Sequence, residues 1–252
     1  MVTIRLTLED DGTGFAGWAR QPGQRTVEGV LRDALGRTFG RVEELAVAGR
    51  TDAGVHATGQ VVSLRVEGGP PPERAALALN ALLPDDVAVL ASAVAPDGFH
   101  ARFSARARAY RYRVLTRPTP SALDRRRALW HPRPVDDADL AACAALLPGE
   151  HDFCAFTPTE TQHEVFVRVV EAAAWTRTGD RLELTIAADG FLRHMVRTLV
   201  GTMLQGDAAR LARLLEGAPR GAAGPTAPPW GLYLEHVRYD GEEPPAPPAS
   251  IG

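Results

Sequence analysis

The stretch LAVAGRTDAGVHATGQVV, residues 45–62, reads as a strand that stops, turns and restarts. Leu45, Ala46 and Val47 close one apolar run, and Val61 and Val62 open the next. Between them Gly49 and Gly54 bracket Arg50, Thr51 and Asp52, the composition of a tight turn. Side chains on such a turn stand at a sheet end, so one guanidinium and one carboxylate are displayed there. An ion pair on a solvated turn contributes little to stability. Held by a tight backbone, the same groups form a candidate site.

Working outward, residues 3–9 alternate Ile4, Leu6 and Leu8 with Thr3, Arg5 and Thr7, the pattern of a half-buried strand. Val27, Val30, Leu31, Ala34 and Leu35 after Thr26 have helical spacing. Strands are predicted near 44–49 and 60–66, then a helix opened by Pro70-Pro71-Pro72 and running to about Leu83. A strand at 87–94 follows the turn Pro84-Asp85-Asp86. The order β-α-β-β-α-β is the ferredoxin-like pattern. It repeats with insertions: a strand at 109–115, a helix at 137–147, strands at 168–176 and 181–187, helices at 191–205 and 208–216, and a closing strand at 232–238. The expected fold is α+β: two ferredoxin-like halves, 1–103 and 104–240, forming one extended, mainly antiparallel sheet with a basic cleft between them. Residues 241–252, rich in proline, are predicted to be a disordered tail.

Two cysteines, Cys143 and Cys154, argue against a disulfide scaffold. The start lacks an apolar leader core, and no uncharged apolar stretch reaches spanning length, so a soluble, cytoplasmic protein is predicted. All 28 basic residues are arginine, which removes Schiff-base lysines and Walker-type phosphate loops. The net charge of −3 hides an asymmetry. Residues 101–133 hold Arg102, Arg106, Arg108, Arg111, Arg113, Arg117, Arg125, Arg126, Arg127 and Arg133 against Asp124 alone, while both flanks are acidic. Interleaved with Tyr110 and Tyr112, this density points to a polyanionic partner.

Gly12-Thr-Gly-Phe-Ala-Gly17 fits G-x-G-x-x-G, but Gln21-Pro22-Gly23 interrupts the helix a dinucleotide site needs. His151, Cys154 and His163 lack the spacing of a structural zinc site. His56 and His100 lie beside motif residues and suit either loop hydrogen bonds or chemistry. In Arg108-Ala-Tyr-Arg-Tyr-Arg113, Tyr110 and Tyr112 share one strand face. In Gly190-Phe-Leu-Arg-His-Met-Val-Arg-Thr-Leu-Val-Gly201, Leu192, Val196, Leu199, Val200 and Met203 form a stripe with Arg197 at its edge.

These segments together resemble the tRNA pseudouridine synthase A family. AGRTDAGVH (48–56) looks like its active-site signature, FHARFS…YRY its second motif, F-x-x-x-MVR-x-x-VG its third and GLYL (231–234) its close. The resemblance covers about residues 4–240. It implies that Asp52 is catalytic, that Arg197 pairs with it and that Tyr110 meets the target base. It further implies that Arg50 fills the position the flipped base vacates and that Leu232 lines the uridine pocket. Arg102, Arg125, Arg126 and Arg127 are the expected tRNA contacts. The implied reaction is isomerisation of uridine to pseudouridine at tRNA positions 38–40 by a homodimer, without cofactor or metal. Two departures stand in the opening motif, usually YDGT-x-F-x-GWQ: Asp10 replaces tyrosine and Ala19 replaces glutamine. Two other readings compete. A non-catalytic RNA-binding module would give Asp52 no purpose, and a carboxylate-pair hydrolase would want a second acid.

Overall fold

The computed structural model describes residues 1–161 and 164–242. His163 and the predicted tail beyond Glu242 lie outside the described residues. The chain divides into two compact units, Met1–Arg106 with Tyr233–Glu242, and Ala107–Leu232. The fold is α+β, with mainly antiparallel strands in each unit.

The first unit runs β1 (Val2–Asp10), α1 (Val27–Thr38), β2 (Arg41–Val47), β3 (His56–Glu67), α2 (Ala75–Asn80) and β4 (Val87–Val94), the predicted order. β1 pairs antiparallel with β3 on one side and β4 on the other. α1 begins at Thr26, whose hydroxyl accepts the Gly29 N–H at 3.2 Å, satisfying one orphan donor of the first turn. Val27, Leu31, Ala34 and Leu35 then bury one stripe against Ile4, Leu6, Leu8, Val62 and Leu64. α2 ends earlier than predicted, at Asn80, whose side chain clasps β4. Its amide donates to the Val89 carbonyl at 2.9 Å and accepts the Val89 N–H at 2.7 Å.

The second unit contains β5 (Ala107–Leu115), β6 (Leu129–Trp130), α3 (Asp137–Ala145), β7 (Gly149–Asp152), β8 (Val167–Thr178), β9 (Arg181–Ala188), α4 (Met195–Met203) and α5 (Ala208–Leu214). β9 joins β5 and β8, and β7 extends β8, all antiparallel. β6 and β7 were not predicted, because two and four residues are too short for periodicity to register. α4 starts at Met195 rather than near 191, since His194 adopts φ 62°, a left-handed conformation that interrupts the helix. The last strand, β10 (Leu232–Arg238), was expected to close the second half. From Tyr233 onward it clusters with the first unit, where Tyr233 and Leu234 pair parallel with His56 and Ala57. No helix among the described residues is long and apolar enough to cross a membrane.

Candidate active site

Asp52 sits on the loop between β2 and β3, half-buried, beside a buried Thr51. The loop closes on itself through the Val55 N–H to the Asp52 carbonyl at 3.1 Å, with Gly54 at φ 78°. A second loop, residues 12–18, grips it from outside. The Trp18 N–H donates to the Thr51 carbonyl at 3.0 Å, and the Gly54 N–H donates to the Phe15 carbonyl at 3.4 Å. Gly17 has φ 96°, and a Cβ there would lie 2.8 Å from the Thr51 carbonyl oxygen. A Cβ on Gly12 would lie 2.0 Å from that of Val55. The G-x-G-x-x-G spacing is thus a close-packing requirement. Gly12–Gly14 form a 3-10 turn, and no α-helix starts at these glycines as a pyrophosphate site demands.

His56, also buried, bolts the two loops together. Its Nδ1 accepts the Gly12 N–H at 3.1 Å, and its ring stacks on Tyr233 at 4.7 Å. The same Nδ1 lies 3.2 Å from the Asp11 carboxylate. The Asp11 contact is an ion pair only when His56 is protonated. Asp11 also caps the Thr13 N–H at 3.1 Å.

Asp10, the first departure from the family's opening motif, ends β1 beneath this clamp. It is 4% exposed, and neither carboxylate oxygen has a hydrogen-bond partner. Burial, then the neighbouring charges of Asp11 and Asp86, push its pKa up from an ordinary 3.8 to about 7. Asp86 is itself bound by Arg25 at 2.7 and 2.8 Å, leaving that guanidinium committed elsewhere.

In the second unit Arg197 is the sole position of α4 that is not fully buried. Its Nε donates to the Ala227 carbonyl at 2.8 Å, and the Ala227 N–H returns a bond to the Arg197 carbonyl at 3.0 Å. The side chain is therefore anchored at its base rather than snorkelling freely. Tyr110 is buried on β5, edge-on to Phe191 at 5.0 Å. Tyr112 is fully buried, and its hydroxyl donates to the Pro228 carbonyl at 2.8 Å. Burial raises the Tyr112 phenol pKa, and the nearby Arg197 charge partly offsets this. Leu232 is buried at the start of β10.

Arg50, Arg102, Arg125, Arg126 and Arg127 are exposed. Arg126 adopts φ 62° with its guanidinium over the Trp230 ring at 5.1 Å. The arginine-rich segment is less cationic than its sequence suggests. Arg106 is bound by Asp240, Arg111 and Arg113 share Glu183, and Arg117 approaches Asp180. All three acids lie outside 101–133, so a count of charge along the chain could not register them.

The model of the tRNA pseudouridine synthase family matches residues 10–104 and 143–240. The chain is 43% identical to a tRNA pseudouridine synthase A of Rhodospirillum rubrum, covering 100% of this chain and 92% of that one. The chain belongs to the tRNA pseudouridine synthase family. A tRNA pseudouridine synthase A of Bacillus subtilis is 41% identical over 94% of this chain and 99% of its own. That of Moorella thermoacetica is 43% identical over 95% and 100%. Among solved structures, a Cbf5-Nop10-Gar1 complex overlays at TM-score 0.40 and 11% identity, over 92% of this chain and 48% of that one. Membership makes the protein an isomerase. Among the described residues, no group of three or more His, Cys, Asp or Glu side chains could hold a metal ion.

Sequence reasoning missed the clamp formed by Gly12, Gly17, Trp18 and His56. The glycine spacing was the available signal, because glycine also marks close backbone approach. The clamp's contribution can be measured by comparing two glycines. Gly23 has φ 70° and open space around it, whereas Gly17 has both a positive φ and a carbonyl in the way. Gly23→Ala should cost about 1 kcal/mol of stability in urea unfolding, and Gly17→Ala at least about 2 kcal/mol. Equal costs would show that the two loops part without resistance.

Proposed function

We propose that the protein isomerises uridine to pseudouridine at positions 38–40 of the tRNA anticodon stem-loop, with Asp52 as the catalytic carboxylate. The observation that carries this reading is the Asp52 loop: a half-buried carboxylate on a turn held in place by a second loop, in a chain of this family. The C1′–N1 bond of the uridine breaks, the freed base turns, and C5 bonds to C1′ while the C5 proton passes to N1. Asp52 acts in its ionised form, attacking C1′ or removing a ribose proton. Extruding the uridine costs a few kcal/mol, and Arg50 takes the vacated place. Arg197 is the proposed charge partner of Asp52. Leu232 lines the uridine pocket, and Arg102, Arg125, Arg126 and Arg127 contact phosphates. The same reading makes the protein a cytoplasmic homodimer that acts on tRNA without a cofactor. Incubation with unmodified tRNA followed by chemical mapping of pseudouridine tests it; an absence of product at all three positions would overturn it.

Tyr110 is proposed to meet the target base and Tyr112 to be structural. The fully buried Tyr112 with its Pro228 hydrogen bond supports that division. Tyr112→Phe should lose about 1 kcal/mol of stability with turnover kept. Tyr110→Phe should bind tRNA as the parent does and lose about 10²-fold or more in turnover. The reverse outcome would exchange the two roles.

A further inference from the structure

Phe103 is 75% exposed, the one large hydrophobic side chain left in solvent between Pro96 and Arg106. A single exposed apolar residue is ordinary, but this one is mounted. Its ring stacks on His100 at 4.4 Å and 27°. The N–H groups of Arg102 and Phe103 both point at His100 Nδ1, at 3.2 and 3.3 Å, so the imidazole carries its proton on Nε2. The His100 N–H donates to the Ser104 hydroxyl at 3.0 Å, and the Ser104 N–H returns to the His100 carbonyl at 2.9 Å. Between them Ala101 is fully buried; its N–H donates to the Ser63 hydroxyl at 2.9 Å and its carbonyl accepts from the Tyr239 hydroxyl at 2.8 Å. The loop is pinned at both faces, and the ring stands outside it.

We propose that Phe103 is a stacking platform for an unpaired nucleobase of the bound RNA, away from the reacting nucleotide. The inference rests on the RNA-modifying reading above and adds a subsite to it. Every base offers a π-face, so one rigid aromatic ring suffices for sequence-tolerant binding. Rigidity matters because a platform already ordered loses no side-chain or loop freedom on binding. The Arg102 guanidinium lies 5.7 Å from the ring centroid, beside rather than capping it, where it can take the phosphate of the stacked nucleotide. A protein partner would need an apolar patch of several hundred Å²; a lone ring flanked by His100 and Arg102 suits a base. The platform is anchored on Ser63, seven residues along β3 from His56, about 23 Å at the strand rise. The base on this ring is taken to be a nucleotide other than the one presented to Asp52.

The test uses the full-length protein and measures Kd at fixed salt for unmodified tRNA, a short oligouridylate and a blunt RNA duplex. Phe103→Ala should raise Kd for tRNA and oligouridylate about tenfold, equivalent to about 1.4 kcal/mol. Duplex affinity, thermal midpoint and turnover at saturating tRNA should stay as in the parent. Phe103→Trp should restore binding to within twofold, and Phe103→Leu should not, because leucine keeps the apolar contact without the π-face. Unchanged Kd in Phe103→Ala, or full binding in Phe103→Leu, would overturn the proposal. So would a shift in sedimentation with RNA affinity intact, which would make Phe103 a protein contact. A parent that forms no pseudouridine yet shows the Phe103 pattern would sink the proposed reaction and leave the platform standing.

Discussion

Asp52→Asn is expected to abolish pseudouridine formation while tRNA affinity stays within a few-fold of the parent. The amide keeps the shape and volume of the carboxylate, so the loop held by Trp18, Gly17 and His56 has no reason to move. It loses the lone-pair basicity and negative charge that either attack on C1′ or proton removal requires. Removing a nucleophile or base of this kind costs at least about 10²–10⁴-fold. Chemical mapping of product together with filter binding gives both halves of the expectation. Retained turnover would remove Asp52 from the chemistry, whereas lost binding would make it a substrate contact.

The second large effect concerns stability and belongs to Asp10. Its folded-state pKa, raised from 3.8 to about 7, means that the folded protein holds a proton that the unfolded chain releases. The stability so gained is fully present below pH 3.8 and is lost as the pH rises through about 7. Ionising the buried carboxylate across that interval costs about 4 kcal/mol, at about 1.4 kcal/mol per pH unit. Asp10→Asn carries no such penalty. Its melting temperature should match the parent's near pH 4 and exceed it by roughly 10 °C at pH 8. A difference that stays constant across pH would mean the Asp10 carboxylate reaches water in solution.

The first unit was legible because each of its elements carries a local signal: alternation in β1, a capping threonine before α1, a proline turn before α2. The strand at Val87–Val94, set up by the Pro84-Asp85-Asp86 turn, and the strand at Leu232–Arg238 fall at the predicted residues. What escaped is non-local. The allegiance of β10 depends on a two-residue parallel register with β3, to which no property of residues 232–238 refers. The arginines of β5 and of the loop after it find their acids on β9 and the turn before it, tens of residues away. The two loops split the same way. The Asp52 loop stood out through its resemblance to the family signature, while the loop that grips it resembled a phosphate motif until the facing carbonyls were known. Phe103 was visible as a letter but not as a surface.

The parallel pairing of β10 with β3 also imposes an order of events on biosynthesis. β2 occupies the far end of one edge of β3, from Val62 to Glu67, and β10 occupies the near end at His56 and Ala57, beside the Asp52 loop. The ribosome makes β3 early, yet its partner emerges only after residues 107–232 have been translated. At 5–20 residues per second that is a wait of roughly 6 to 25 s. During it the start of β3 is an open strand edge, and His56 has no Tyr233 to stack on. The loop that carries the Asp52 carboxylate is thus left without its parallel neighbour until the whole intervening unit has been made.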